Sequence, residues 1–245
     1  MLRKRLYRIN QKTEKTRRKE KSRPISGNWI IREIMNCCYI VGPMDFNFSA
    51  FDKRAGDLII AADAGYINLK NNNIKPDYLI GDFDSLSEVP DFKNIISYPT
   101  EKDDTDLLLS VKKALDLGFK KIKIYGALGG RIDHSIANLQ ILRYIKENNA
   151  QGYIVGMNEV ITVIENEKII FDKSCTGTIS IFALSKQAVG VDIENLKYEI
   201  RNKTLEYSFP IGVSNEFTGK EAKIAVKDGS LIIVFPTDAD FIIKN

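Results

Sequence analysis

The sequence predicts an α/β domain with a mostly parallel sheet, followed by an all-β sandwich or barrel. Three observations carry this. From Met35 onward, short apolar runs ending in glycine or aspartate alternate with helix-forming segments, the pattern of a sheet buried on both faces. Two of the intervening segments carry apolar residues at helical spacing. Beyond about Ala150 the chain changes to short runs rich in Ile, Val, Phe and Tyr, separated by Gly, Asn, Asp and Lys, as in sandwiches and barrels. The 245 residues suffice for these parts, and 44% apolar with 28% charged is ordinary for a globular chain.

Taken in order, residues 1–34 stand outside the predicted domains. Residues 1–24 hold eleven Lys and Arg against Glu14 and Glu20, a balance of +9. The remainder has 25 basic and 30 acidic residues, so the net +4 describes a basic tail on an acidic body. Such a tail is expected to be solvated or disordered. Nucleic acid is the disfavoured alternative, because Tyr7 is the only aromatic among the charges of residues 1–24. No run approaches the roughly 20 apolar residues of a membrane span, and no apolar h-region marks a signal peptide. Met35 directly precedes the first predicted strand and is a candidate natural start. CCYIVG, DLIIAADAG (57–65) and DYLIGDFDS (77–85) then predict three buried strands. Leu107, Leu108, Val111 and Leu115 recur at helical spacing, with Gly118 at the end. KKIKIYGALGG predicts another strand, and a helix from about Asp133 to Glu147 closes the α/β part. In the β-rich part, Asp228-Gly229 between two apolar runs predicts a hairpin. The division is thus 1–34 tail, 35–150 α/β domain, 151–245 β domain. Cys37, Cys38 and Cys175 form neither a C-x-x-C pair nor an even framework, which predicts buried thiols in a reducing cytoplasm.

The acids cluster where an α/β sheet binds ligands. Asp82 and Asp84 follow one strand end, and Asp103, Asp104 and Asp106 follow the next and lead into a helix. Carboxylates gathered there repel unless a cation neutralises them, and hard oxygen ligands suit Mg²⁺ with substrate phosphates. The competing role for Asp103 or Asp104 is a helix N-cap. Gly129-Gly130-Arg131-Ile132-Asp133-His134 follows a third strand and opens a helix, a combination that can cradle phosphate. His134 is the only histidine, and its plain alternative is to orient Asp133. No Walker loop or G-x-S-x-G elbow is present. Together these features point to phosphoryl-type transfer.

The ordered set Asp63-Ala64-Gly65, Gly81-Asp82-Phe83-Asp84-Ser85, Lys102-Asp103-Asp104-Thr105-Asp106, Gly129 to His134 and Ser214-Asn215-Glu216-Phe217 resembles the thiamine pyrophosphokinase family, from about Met35 to the C-terminus. The resemblance implies a nucleotide-binding α/β domain and a β-sandwich, in a homodimer with sites shared between subunits. It implies transfer of the pyrophosphoryl group of ATP to the thiamine hydroxyl with release of AMP. It implies Mg²⁺ ligands at Asp82, Asp84 and Asp106, with Asp103 nearby. Catalytic roles would extend to Arg131 and Asp133 at the phosphates, with Asp106 or Asp133 as candidate general base. ATP contacts would include Asp63, Gly65, Ser85, Lys102, Thr105, Gly129, Gly130, Arg131 and His134. Ser214, Asn215 and Tyr198 would meet thiamine, Tyr198 as an aromatic platform or, alternatively, as an ordinary strand aromatic. Ala64 and Asn195 stand where the family often has glycine. The competing functions are a pyrophosphokinase of the same fold acting on another alcohol, and a nucleotide-regulated nucleic-acid-binding protein using the tail.

Overall fold

Strand β1 (Cys37–Val41) is CCYIV, buried at all five positions. With no polar residue to turn toward water, it belongs in the middle of a sheet covered on both faces. The computed structural model describes residues 36–48, 51–84, 92–239 and 241–244. In it β1 pairs in parallel with β2 (Leu58–Ala62) on one side and β5 (Lys121–Tyr125) on the other. Strands β3 (Tyr78–Gly81) and β4 (Ile95–Ser97) extend the parallel ladder beyond β2, and β6 (Gln151–Val155) extends it beyond β5. The strand order therefore reverses at β1, which makes the carboxyl ends of β1 and β5 a topological switch point. The basic segment 1–34 and Ser85 lie outside the described residues.

The sheet does not stop at the expected boundary after residue 150. Strand β6 is its last parallel member, and β7 (Glu159–Glu165) pairs antiparallel with it. Next come β14 (Ser230–Pro236), β9 (Thr178–Ala183) and β12 (Asn215–Glu216), completing ten strands. A second, antiparallel sheet has the order β11 (Ile200–Glu206), β10 (Gln187–Glu194), β13 (Ala222–Ala225), β8 (Lys168–Phe171), β15 (Phe241–Lys244). Mostly parallel α/β architecture and an antiparallel β layer are thus both present, as the sequence predicts. Asp228-Gly229 is a correction. It closes no hairpin, because β13 and β14 lie in different sheets. The turn docks instead on neighbouring loops: Asn166 Oδ1 accepts from Gly229 N at 2.9 Å, and Val189 N donates to Asp228 O at 2.7 Å.

Helices α2 (Asp106–Asp116) and α3 (Ile132–Glu147) cover one face of the large sheet, packing Val111, Ala114, Leu142 and Ile145 on Ile40, Ile60 and Ile124. The other face takes α1 (Gly65–Asn71), the aromatics Phe46, Phe48 and Phe51, and the second sheet. Both ends of α2 are fixed by local chemistry. Thr105, not Asp103 or Asp104, is the N-cap, its Oγ1 accepting from Leu108 N at 3.2 Å. At the other end, Phe119 N donates to Ala114 O and Gly118 N to Leu115 O, a Schellman pair. The three cysteines are buried thiols, and burial pushes the Cys37 thiol up to about 12.

Candidate active site

The parallel ladder itself brings the acids together. Asp63 is the first residue past β2 and Asp82 the first past β3. Asp63 N donates to Ile80 O at 2.8 Å, so the two strand ends stay paired beyond the formal strands. Gly81 makes this approach possible, since a Cβ there would sit 3.1 Å from both Cα and Cβ of Asp63. Gly65 works in the same way one turn on. Its missing Cβ would lie 1.9 Å from Val41 O, so α1 starts hard against the end of β1. Asp106 is the first residue of α2, directly after the Thr105 cap.

Ligand oxygens of Asp63, Asp82 and Asp106 lie within 4.8 Å of one another, the one such group among the described residues. Asp82 and Asp106 belong to the ligand set the sequence suggests; Asp63, expected among the ATP contacts, supplies the third carboxylate. Asp84 does not join them. Between Asp82 and Asp84 the backbone turns at Phe83 (φ +63°), which buries its ring in the core and leaves Asp84 exposed, its N–H donating to Asp82 Oδ1 at 3.3 Å. Asp103 is exposed, and Asp104 is engaged by Lys112 at 2.5 Å.

Electrostatics make the group tense. At an effective dielectric of 20, two carboxylates 4 Å apart repel by about 4 kcal/mol. Lys102 offsets part of this, its Nζ 2.9 Å from Asp82 Oδ2 and 3.1 Å from Asp106 Oδ1. The lysine hydrogen bond, working against desolvation, holds the Asp82 carboxyl below the usual carboxylate range. Burial, reinforced by Asp82 and Asp63, pushes Asp106 above it despite Lys102. Burial opposes the charge on Lys102, but its two carboxylate partners outweigh burial and raise its pKa. Asp63 Oδ1 is buried without a hydrogen-bond partner. A converging set of hard oxygens with an orphaned lone pair fits a divalent cation such as Mg²⁺.

The glycine loop lies at the same end of the sheet. Gly129 and Gly130 have φ of +97° and +62°, and Arg131 is the N-cap of α3 without a side-chain cap bond. Arg131 Nε and Nη2 donate to the two carboxylate oxygens of Asp133, at 3.2 and 2.5 Å, and both side chains are exposed. That fork holds the Asp133 carboxyl below its usual range. His134 is exposed and contributes its backbone N–H to Asp133 Oδ1 at 3.0 Å. Sequence reasoning missed the supports. Asn138 is buried and donates to Ala127 O at 2.7 Å, while Ser135 Oγ accepts from Gly129 N at 3.3 Å. The available signal was a polar residue on the stripe of α3 that otherwise buries Ile141, Leu142 and Ile145.

On the β side, Tyr198 is 60% exposed, with Lys197 Nζ 5.5 Å from its ring centroid. Asn215 is buried and grips the Tyr198 backbone twice: its Oδ1 accepts from Tyr198 N at 2.9 Å and its Nδ2 donates to Tyr198 O at 2.8 Å. Its amide is thereby spent on holding the tyrosine segment. Ser214 is exposed, and its backbone N–H donates to Ser180 Oγ at 3.1 Å.

Paired acids beyond parallel strand ends, with a glycine loop and helix N-terminus at the same end of the sheet, fit an enzyme of the phosphoryl-transferring class, and the comparisons with known proteins narrow it to the diphosphotransferases. Residues 53–154 match the family model for the thiamin pyrophosphokinase catalytic domain, and residues 162–231 match that for its vitamin B1 binding domain. The chain belongs to the thiamine pyrophosphokinase family. It is 29% identical over 188 residues to thiamine pyrophosphokinase of Bacillus subtilis, covering 74% of this chain and 88% of the relative. To thiamin pyrophosphokinase 1 of Caenorhabditis elegans it is 27% identical over 169 residues, 64% of this chain and 68% of the relative. The crystal structure of the Bacillus subtilis enzyme superposes with a TM-score of 0.75 at 24% identity, covering 83% of this chain and all of that one. The yeast enzyme gives 0.69 at 18%, covering 84% and 88%. At these identities the two structures speak for the fold alone.

Proposed function

We propose that this chain transfers the pyrophosphoryl group of ATP to the hydroxyl of thiamine, giving thiamine diphosphate and AMP, with ATP and Mg²⁺ on the 35–150 part and thiamine on the 151–245 part. The observation that carries the reading is the Asp63–Asp82–Asp106 group with its orphaned Asp63 oxygen. These three residues would hold Mg²⁺, which when bound neutralises charge on the phosphate oxygens in the transition state. Arg131, whose guanidinium fork is closed on Asp133 in this structure, would turn to the phosphates at the positive N-terminus of α3. Most of the acceleration then comes from positioning the β-phosphorus in line with the alcohol. Asp106 and Asp133 stay the two candidate acceptors of the hydroxyl proton, with the Asp133 carboxyl held below its usual range by Arg131.

Tyr198 suits a flat cationic ring, which an exposed aromatic face attracts. Asn215 acts on thiamine through Tyr198, as a positioning residue. A homodimer with shared sites is supported by two exposed apolar patches, Ile132 with Ile136 beside the glycine loop and Tyr207, Phe209, Ile211 and Val213 leading to Ser214. Three buried cysteine thiols favour the cytoplasm. Among the described residues no helix is long and apolar enough to cross a membrane. The test is incubation with ATP, Mg²⁺ and thiamine, with nucleotides and thiamine esters resolved. AMP and thiamine diphosphate are expected in equal amounts; ADP in place of AMP, or turnover only on a different alcohol, refutes the assignment.

A further inference from the structure

The acid group already holds a cation that belongs to the chain. Lys102 Nζ bridges Asp82 Oδ2 and Asp106 Oδ1, and its side chain is only 13% exposed. It sets one positive charge against three carboxylates and leaves Asp63 Oδ1 without a partner. A divalent ion supplies the missing charge and draws on the same carboxylates. Mg²⁺ binds carboxylate oxygen at about 2.0–2.1 Å, well inside the ammonium distances here. Two cations drawn to the same carboxylates at such range repel, which favours the departure of one of them. The lysine is the one able to move. It is a point charge on a flexible four-carbon stem with rotatable donors, and it precedes the Thr105 cap in a segment outside any helix or strand.

We propose that Lys102 is the resident counter-ion of the triad, displaced by an entering divalent ion and then taken up by a phosphate of the nucleotide. This rests on reading the triad as a divalent-ion site. Lys102 makes the site choosy about when it loads. Without nucleotide, the ion must evict an ammonium that has no new anion to meet, so the bare ion binds weakly. With nucleotide, the freed ammonium meets a phosphate, and ion and nucleotide strengthen each other's binding reciprocally.

Mn²⁺ serves as the probe, titrated by electron paramagnetic resonance into the full-length chain without thiamine. Without nucleotide, Lys102→Met is expected to bind Mn²⁺ about tenfold more tightly than the wild type. When a non-hydrolysable ATP analogue is added, the wild type is expected to gain more Mn²⁺ affinity than Lys102→Met. Equal or weaker Mn²⁺ binding by folded Lys102→Met without nucleotide overturns the proposal and leaves the ion site standing. If neither chain binds Mn²⁺, with or without the analogue, the ion site falls and the proposal falls with it. Should Lys102→Met fail to fold, the wild type answers alone. Amine-directed labelling of Lys102, read by mass spectrometry, is expected to rise with Mn²⁺ and fall again when the analogue follows; labelling indifferent to Mn²⁺ overturns the proposal.

Discussion

Burial and two neighbouring carboxylates set the folded pKa of Asp106 above its unfolded value, against Lys102. For an acid shifted this way, the folded state loses stability as pH rises through the raised pKa and recovers it as pH falls. Asp106→Asn is therefore expected to raise the melting temperature at neutral pH without divalent ions, by about 2–4 °C for each kcal/mol relieved. The advantage should vanish as the buffer is taken through the acidic range where wild-type Asp106 binds its proton. A pH series of thermal melts checks this, and an Asp106→Asn chain no more stable than wild type at pH 7 contradicts it. Asp82 has the opposite sign: its depressed pKa adds stability above the ordinary carboxylate range, lost as pH falls through the folded value. Asp82→Asn should cut turnover by at least about 100-fold with the fold retained. Two substitutions that look like departures in the sequence are explained by backbone angles. Asn195 adopts φ +61°, a region asparagine tolerates better than most residues, and Ala64 sits at φ −61°, where alanine fits. Asp63 was legible as a site residue but not as the third carboxylate, because a strand register that sets Asp63 beside Ile80 is not written in either segment alone.

Helix α2 depends on a cap that the sequence offers in competition. Asp103, Asp104 and Thr105 are all plausible N-caps by residue type, and Thr105 holds the position because its backbone is extended while Asp104 is turned toward Lys112. Thr105→Ala is expected to cost about 1 kcal/mol in denaturant melts. It should also lower turnover by loosening the turn that starts with Asp106. Helix α1 is less forgiving. In Gly65→Ala the new Cβ meets a backbone carbonyl, which has no flexible end to swing aside, so a loss of about 3 kcal/mol or more is expected. An alanine chain as stable as wild type would show that α1 can shift away from β1. The apolar periodicity made α2 and α3 legible, since their buried stripes repeat every turn. The Asp228-Gly229 turn was misleading for a related reason. Two apolar runs joined by turn residues satisfy a hairpin locally, while the true partners of β13 and β14 lie dozens of residues away.

At the scale of the molecule, residues 1–34 carry the positive charge and both family-model matches begin beyond them, at 53 and 162. Deleting 1–34 is expected to leave turnover unchanged, as measured by AMP release. The two-part layout was legible because composition changes near residue 150. That one sheet runs through both parts was not, because β6 and β7 have the same apolar character whichever way they pair. Helix α3 fastens the seam: Arg143 reaches Glu165 at 2.9 Å, and Lys146 reaches the buried Glu167 at 2.5 Å. The position of β14 within this sheet has a consequence for synthesis. β7 is buried at its five inner positions, and one of its two neighbours is a strand that begins only at Ser230. While the chain is being made, β7 must wait with a bare, apolar edge until Ser230–Pro236 emerge from the ribosome. Such an edge invites pairing with other chains. Truncation just before Ser230 should therefore send the product into inclusion bodies, whereas the loss of the short terminal strand β15 leaves that edge covered.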